Sequence, residues 1–402
     1  MLRKPVTRRT FSAMLGSFGA TVGSVGQLSA QGADVVKIGA ALPLTGPLSP
    51  EGIKQQRGYS LWADAVNAKG GIKAGGKTYK VEIIFVDYAS NTPRAVQSTE
   101  RLITQDNVSF ILAPFGSGAT KAASSVNEKY EIPMIAPSAS ATEIFDQKYK
   151  YIFSTLTPNN SVTEPLAEAI SQNKSIKRLA ILARNDLFPL AIAQEMEKSA
   201  KARGMEVVMF ERYAIGVLDH SAAITQMRAA NPDWVYGTGY INDLVAMRKQ
   251  MADLGVKPKA ISMIAGPAYK EFAQAAGPLA ENVSSSAWWH PTVRYNGKDV
   301  FGSTEAFNAA WTAKYKDDAD YIEASSAVCG AIIQLGIEAA NSVDPKKVRD
   351  AIAKLDVETF YGKVRFGESG QINSLEPPVF QLQGGKPVVI SPKVIKQGEM
   401  KF

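Results

Sequence analysis

The sequence predicts an α/β protein made of two doubly wound lobes joined by a hinge. The first observation is size and composition. The chain has 402 residues, of which 45% are hydrophobic and 21% charged, which suits a soluble globular protein of about two domains. The second is an alternation of short apolar runs with helical patterns, which indicates parallel strands covered by helices on both faces. The third is that this alternation starts again after Ser154.

The elements of the first lobe follow from two periodicities. Runs rich in Val, Ile and Phe predict buried strands, whereas apolar residues three and four apart predict helices. The strands are expected at 35–42, 81–86, 110–112 and 134–135. The helical patterns cover 59–66, 95–105 and 119–129.

The second lobe repeats the same alternation. Its strands are expected at 178–183, 207–210, 234–236 and 260–264. Its helices are expected at 163–172, 191–203, 221–230 and 244–254. The first two-thirds of the chain therefore predict two α/β units of similar size.

The last third contains helical patterns at 301–315, 322–340 and 345–354, followed by an expected strand pair at 362–366 and 378–383. Helices without strands cannot form a third sheet, so we expect them to pack on the first lobe and the final strands to join the second. The expected division is lobe 1 from 34–154 plus 290–358, and lobe 2 from 155–289 plus 359–402. The three crossings near Thr155, His290 and Tyr361 would form a hinge, with a ligand in the cleft at the carboxyl ends of the strands.

Charge and reactive residues exclude several classes of function. The net charge is +7, but four of the basic residues and no acidic residue lie in 1–33, so the rest carries only +3. No basic run remains to bind nucleic acid. Cys329 is the only cysteine and stands in an apolar stretch, and His220 and His290 lack metal-ligand spacing. We expect a monomer with no metal and no cofactor.

Residues 1–33 predict an export signal. Arg8 and Arg9 precede a weakly apolar run and then small residues, with Phe11 two positions after the arginine pair. This order is typical of a twin-arginine signal. No cysteine stands near the expected cleavage site to carry a lipid, and no later stretch looks apolar enough to span a bilayer. We therefore expect a soluble protein in the periplasm.

Two consecutive loops of the first lobe suit an anion. Residues 114–120 follow one strand and 136–141 the next, and both combine small residues with hydroxyls and an expected helix start. Free amides at a helix start attract negative charge. Ser117, Ser138, Ala139 and Ser140 are the candidates for holding a carboxylate. A hydrolase built on Ser117 is the enzyme alternative, but the loop is not Gly-x-Ser-x-Gly and no histidine stands where a base is needed.

Aromatic residues follow strands of the second lobe, where they could form the wall of a binding site. Phe188, Tyr240 and Tyr269 each stand in a turn beside Gly or Pro, and Pro267 belongs to the last of these turns. Trp288 and Trp289 precede the helical third of the chain. We interpret both tryptophans as packing residues.

At this point the chain resembles periplasmic solute-binding proteins of ABC transporters, of the leucine/isoleucine/valine-binding type. The resemblance extends over residues 34–402 and is carried by Ile-Gly-Ala-Ala-Leu-Pro-Leu-Thr-Gly-Pro at 38–47, Asn-Ala-Lys-Gly-Gly-Ile at 67–72, Phe-Gly-Ser-Gly-Ala-Thr at 115–120, Ile-Pro-Met-Ile-Ala-Pro at 132–137 and the turn ending at Tyr240. It implies a type I periplasmic-binding fold that closes on its ligand and delivers it to a permease.

The resemblance also implies roles for individual residues. Ser117 and Ser140 would donate hydrogen bonds to a ligand carboxylate, and Ser138 would contribute its backbone. Tyr240 and Phe188 would face the ligand from the second lobe. Glu51 stands where the family's amino-acid binders often place a large residue near the mouth of the pocket.

One departure from the family leaves the ligand open. Amino-acid binders of this type often carry a carboxylate after the strand at 260–264, where this chain has Ala-Gly-Pro-Ala at 265–268. An unpaired buried ammonium would be costly, so either Glu51 or Asp186 replaces that carboxylate or the ligand has no ammonium. The predicted ligand is an amino acid, with an aromatic carboxylate or a short amide as the alternative. A sensor subunit of the same fold remains an alternative to a transporter subunit.

Overall fold

The computed structural model of the protein describes residues 34–402, so the expected export signal lies outside the described residues. The first part of the chain contains, in order, β1 (Asp34–Leu42), α1 (Ser49–Ala68), β2 (Ile72–Ala74), β3 (Lys77–Asp87), α2 (Thr92–Thr104), β4 (Phe110–Leu112), α3 (Ser117–Tyr130), β5 (Met134–Ala136), α4 (Thr142–Phe145) and β6 (Ile152–Ser154).

The second part contains α5 (Asn160–Ser171), β7 (Arg178–Arg184), α6 (Leu187–Lys201), β8 (Glu206–Tyr213), α7 (Ser221–Ala230), β9 (Trp234–Thr238), α8 (Ile241–Asp253), β10 (Ala260–Met263), α9 (Lys270–Ala276) and β11 (Val283–Ser286). The last part contains α10 (Thr304–Tyr315), α11 (Tyr321–Ala340), α12 (Pro345–Ile352), β12 (Asp356–Thr359), β13 (Gly362–Arg365), β14 (Val379–Gln383) and β15 (Lys386–Ser391).

Two mostly parallel sheets confirm the predicted fold class. The first has the strand order β2-β3-β1-β4-β5-β6, and the second has the order β15-β14-β11-β10-β9-β7-β8. Strands β4, β5, β7 and β9 are almost wholly buried because helices cover both faces of each sheet. In each sheet the order reverses beside the first parallel strand, and a doubly wound fold binds ligands at that point.

The helices of the last part return to the first sheet. Helix α11 packs along α1, where Gly58 and Gly330 allow the two backbones to approach closely. A side chain at Gly330 would overlap the ring of Trp62. Asp320 caps the start of α11 by accepting hydrogen bonds from the N–H groups of Ile322 and Glu323.

The expected pairing of the strands at 362–366 and 378–383 is wrong. Strand β13 pairs instead with β12. The two strands form an antiparallel hairpin because a turn of only two residues joins them. Strand β14 adds to the second sheet beside β11 and pairs on its other side with β15. Strand β14 covers β11, whose backbone N–H and C=O groups on that side would otherwise form an open sheet edge.

Helix α11 is long and apolar enough to cross a membrane by composition, contrary to the expectation from sequence. However, 78% of its apolar window is buried inside the protein. Residues from Tyr321 to Ile333 are almost all buried, and Cys329 lies among them. We therefore describe α11 as a core helix.

Candidate functional site

The two serine-containing loops meet at the carboxyl ends of β4 and β5. Gly116 has a φ of +82°, a left-handed conformation that turns the chain from β4 into α3. The hydroxyl oxygen of Ser117 accepts hydrogen bonds from the N–H groups of Ser140 and Ala141, each at 3.3 Å. Ser117 thus holds the second loop against the first amides of α3, which have no side-chain cap.

Three serine hydroxyls in these loops keep a proton to donate. Ser138 Oγ accepts from the N–H of Gly116 at 3.1 Å and from the side-chain amide of Gln55 at 3.4 Å. Ser140 Oγ is buried without a hydrogen-bond partner among the described residues. Because Ser117 and Ser138 act only as acceptors in these bonds, their protons also remain available. Hydroxyl protons beside a helix start form a donor set for an anion.

An enclosed cavity lies between the two lobes next to these loops. It is lined by Phe115, Ser138, Leu156, Phe188, Gly239, Tyr240, Ile264, Ala265, Tyr269, Trp288 and Tyr321. Its free volume is only about 10 Å³, enough for about one water molecule. A ligand of amino-acid size therefore requires the lining side chains to move or the lobes to separate.

Six of the lining residues are aromatic, and their rings contact one another in a continuous row. The centroid distances are 5.4 Å for Phe115–Tyr240, 6.5 Å for Tyr240–Phe188, 6.0 Å for Phe188–Trp288, 5.4 Å for Trp288–Tyr321 and 5.8 Å for Tyr321–Tyr269. The hydroxyls of Tyr269 and Tyr321 are 2.9 Å apart. Such a wall favours an apolar or aromatic group at one end of a ligand.

Glu51 joins the two lobes beside this cavity. It is buried, and one carboxylate oxygen accepts a hydrogen bond from the N–H of Ile241 at the start of α8. Its other oxygen has no hydrogen-bond partner among the described residues. Burial raises the pKa of Glu51 from 4.5 to about 7, against the opposing effect of the Ile241 hydrogen bond.

Asp186 is the other carboxylate that the sequence suggested as a partner for a ligand ammonium, but its oxygens already have partners within the protein. It caps α6 by accepting a hydrogen bond from the N–H of Leu187 at 2.8 Å, and it lies 3.5 Å from the guanidinium of Arg184. Arg184 also pairs with Asp243 at 2.9 Å and lies over the ring of Tyr240.

Among the described residues no three His, Cys, Asp or Glu side chains are grouped as a metal site requires.

Three of the eight predicted site residues, Ser138, Phe188 and Tyr240, line the cavity. Ser117, Ser140 and Glu51 do not line it: Ser117 accepts from the N–H groups of Ser140 and Ala141, and Glu51 accepts from the N–H of Ile241, next to Tyr240. Ala139 and Pro267 do not line it. The carbonyl of Ala139 accepts a hydrogen bond from Ser154 and its methyl group packs in the core, whereas Pro267 is buried in a short 3-10 turn.

Three lining aromatics were missed in the sequence. Trp288 packs in the core as interpreted, but it also lines the cavity, and its indole N–H donates to the carbonyl of Thr157. Trp289 also packs in the core. Phe115 stands inside the anion-loop motif, and Tyr321 follows a helix-capping aspartate. The position of Phe115, directly after a buried strand, was the one signal available for it.

A wider open groove lies between α4, α5 and α6. It is lined mainly by polar and charged side chains, including Glu143, Glu164 and Lys198. It lacks the aromatic wall and the serine loops. The cavity between the lobes is therefore the candidate binding site.

These features define a class of protein: a two-lobed α/β binding protein with its site in the cleft. The chain belongs to the periplasmic binding protein family, whose model matches residues 35–386. The relatives that it is similar to include leucine/isoleucine/valine-binding proteins, as its resemblance indicated. Membership of the family implies export to the periplasm.

Curated relatives align over most of the chain. A leucine-, isoleucine-, valine-, threonine- and alanine-binding protein of Pseudomonas aeruginosa is 27% identical over 349 residues, which cover 87% of this chain and 90% of that protein. Leu/Ile/Val-binding protein homolog 8 of Brucella abortus is 28% identical over 383 residues, covering 91% and 93%.

Solved structures share the fold. LivJ of Streptococcus pneumoniae, in complex with isoleucine, matches with a TM-score of 0.79 and 26% identity, covering 89% of this chain and all of that chain. A solute-binding protein of R. palustris in complex with benzoate matches with a TM-score of 0.76 and 21% identity, covering 89% and 96%. At that identity the second likeness concerns the fold alone.

Proposed function

We propose that this protein captures a small carboxylate-bearing solute in the cleft and delivers it to the permease of an ABC importer. The observation that supports this most directly is the set of serine hydroxyls in the loops after β4 and β5, beside a cavity enclosed by both lobes. Charge-assisted hydrogen bonds from hydroxyls and helix amides would hold the carboxylate. The cavity walls would hold the remainder of the solute.

A branched-chain or other amino acid is the first candidate ligand. The printed names of the Pseudomonas and Brucella relatives and the isoleucine bound to LivJ support it. Its ammonium would need a carboxylate, and Glu51 offers a buried one beside Tyr240, with an oxygen that has no partner among the described residues. An ammonium would favour the ionised form of Glu51 and lower its pKa.

An aromatic carboxylate is the second candidate, supported by the row of six aromatic rings. The lining residues include no acid, and the turn after β10 has none. A ring would bury apolar area against Phe188, Tyr240 and Trp288, and it would bring no ammonium to pair.

Calorimetric titration with L-leucine, L-isoleucine and benzoate would test the proposal. A ligand at about 100 times its Kd should also add about 2.7 kcal/mol to the free energy of unfolding. Binding of an amino acid or an aromatic acid supports the corresponding candidate. Failure of all three to bind would count against both candidate ligand classes.

We also propose that the protein catalyses no reaction on its ligand. Ligand recovered unchanged after long incubation supports this, whereas turnover that is lost in Ser117→Ala would establish the hydrolase alternative.

Uptake of labelled ligand by cells lacking the gene distinguishes transport from a sensor role. Lost uptake supports transport, and normal uptake supports the sensor.

The remaining expectations concern export and motion. We propose that residues 1–33 direct export by the twin-arginine route, so that Arg8→Lys with Arg9→Lys should leave the protein in the cytoplasm.

We further propose that the lobes, 34–154 plus 290–358 and 155–289 plus 359–402, close as rigid bodies in a monomer. Small-angle scattering should show a monomer whose radius of gyration falls when ligand binds, and an unchanged radius would contradict the hinge.

A further inference from the structure

A buried lysine makes ion pairs to both lobes at the far end of the cavity. Lys54, on α1, is 4% exposed. Its ammonium lies 2.7 Å from Asp320, which precedes α11 on the same lobe, and 3.0 Å from Glu271, which lies on α9 of the other lobe. Helices α1 and α11 pack together, so the pair with Asp320 lies within one lobe while the pair with Glu271 crosses the cleft.

Both partners of Lys54 stand next to lining aromatics. Tyr321 follows Asp320, and Tyr269 lies two residues before Glu271. The two tyrosine hydroxyls are hydrogen-bonded to each other across the cleft, and the Lys54 ammonium lies 5.6 Å from the ring centroid of Tyr269. Lys54 therefore lies beside the part of the cavity wall that Tyr269 and Tyr321 form.

A second set of charges reinforces this contact. Lys270, beside Glu271 on α9, pairs with Asp317 in the loop before α11. Asp317 also accepts from Arg57 on α1 at 2.8 Å, and Arg57 reaches Glu323 at 3.2 Å. The second lobe thus contributes Glu271 and Lys270, and each forms an ion pair with a side chain of the first lobe.

We propose that Lys54 is a positioning residue that couples lobe closure to assembly of the Tyr269–Tyr321 wall. The pair with Asp320 stays in place when the lobes separate, so Lys54 remains neutralised and loses only its pair with Glu271. Because the Glu271 side chain is 34% exposed, it can be solvated in the open form. The pair with Glu271 therefore stabilises the closed form without contacting the ligand, and its main effect is on the rate of ligand release.

Burial and charge agree with this division of roles. Burial alone would lower the pKa of Lys54, but Asp320, Glu323 and Glu271 together raise it above the ordinary value, so the ammonium stays charged. Replacing Lys54 itself would leave buried acids without a partner and endanger the fold. Glu271→Gln removes only the interlobe pair and is the suitable variant.

The test measures the distance between the lobes by pulsed electron spin resonance. Spin labels on Arg94→Cys in the first lobe and Leu218→Cys in the second report it, because both positions are exposed and Cys329 is fully buried. The distance distribution is recorded without ligand and with rising L-leucine or benzoate, in the otherwise unaltered protein and in Glu271→Gln. Asp64→Asn is the matched control, because it removes an ion pair with Lys314 that lies within the first lobe.

Glu271→Gln should lower the short-distance population at every ligand concentration and raise the dissociation rate by up to about fivefold, with the association rate nearly unchanged. Added salt should reduce closure in the parent and less so in Glu271→Gln, whereas a merely structural role would not produce this difference. Asp64→Asn should behave as the parent. Identical distributions and dissociation rates in the parent and Glu271→Gln would overturn the proposal.

The inference depends on closure of the lobes but not on the identity of the ligand. If neither L-leucine nor benzoate shortens the distance in the parent, both candidate ligands of the proposed function fail. The role of Lys54 is then tested by comparing the ligand-free distance distributions of the parent and Glu271→Gln. A smaller short-distance population in Glu271→Gln than in the parent supports it, and equal populations overturn it.

Discussion

The carboxylate of Glu51 accepts a hydrogen bond from the backbone N–H of Ile241 at 3.2 Å. Glu51 lies on α1 of the first lobe, and Ile241 is the first residue of α8 in the second. A carboxylate at the start of a helix is favoured by the free amides there. This contact therefore links the lobes next to Tyr240, which lines the cavity, and it makes Glu51 the most informative residue to change.

Glu51→Gln should alter how stability depends on pH. The folded-state pKa of Glu51 is about 7, above its ordinary 4.5, so the folded protein holds this proton more tightly than the unfolded chain. The free energy of unfolding must therefore fall as pH rises from about 4.5 to about 7. Across that window the parent should lose about 3 kcal/mol more than Glu51→Gln, measured by urea unfolding of the ligand-free protein. Parallel pH curves would contradict the shifted pKa.

Glu51→Gln should also distinguish the two candidate ligands. If the ligand is an amino acid, the ammonium loses its partner and affinity should fall by about 3 kcal/mol or more. If it is an aromatic acid, affinity should change little, because the introduced amide still has a carbonyl oxygen to accept from the N–H of Ile241. Calorimetry with L-leucine and benzoate on both proteins measures the difference. An equal loss for both ligands would show that Glu51 does not recognise an ammonium.

Ser140→Ala should weaken ligand binding without weakening the fold. Its buried hydroxyl has no partner among the described residues, so its removal costs the free protein little, whereas a bound carboxylate would lose a donor worth about 1–3 kcal/mol. Ser117→Ala should lower both affinity and melting temperature, because Ser117 accepts two backbone N–H groups. Ser125→Ala on the exposed side of α3 is the control. Unchanged affinity in both variants would contradict the anion site.

Phe188→Ala and Tyr240→Ala should weaken binding of an aromatic acid by about 2–4 kcal/mol through lost burial and ring contacts. An aliphatic amino acid should lose less, because it covers a smaller area of each ring. Titration of each variant with benzoate and L-leucine gives the two losses. A larger loss for L-leucine would favour the amino-acid ligand and assign the rings to aliphatic packing.

Gly330→Ala should destabilise the first lobe. The added methyl would overlap the ring of Trp62, which is fully buried, so one helix must shift against the other. Overpacking of this kind costs about 1–3 kcal/mol. Chemical unfolding followed by fluorescence should detect it. The comparison is Gly118→Ala, a helical glycine whose added methyl would meet only Asp186, at 3.4 Å. Stability of Gly330→Ala equal to the parent would mean that the α1–α11 contact can relax.

The sequence was most informative where structure is local. Runs such as 110–112 and 134–135 became β4 and β5, and hydroxyls directly after them met in one pair of loops because parallel strands end at the same sheet edge. Phe188 and Tyr240 were found for the same reason. Trp288 and Tyr321 were not, because Trp288 follows β11, a strand that the sequence did not predict, and Tyr321 begins a helix; only the folded chain shows that both line the cavity.

The sequence by itself determined the fold class, the family and the serine loops, because hydrophobic period and turn residues act within one β-α unit. The tertiary structure alone decided which residues work together across the cleft. Glu51 and Ile241 are 190 positions apart, and Lys54 reaches Glu271 over a longer stretch still. Such pairs depend on how the two sheets and their helices are placed against each other in the folded chain, and no local pattern encodes a contact of that range. The partners of Glu51, Lys54 and the aromatic row therefore became visible only in the folded molecule.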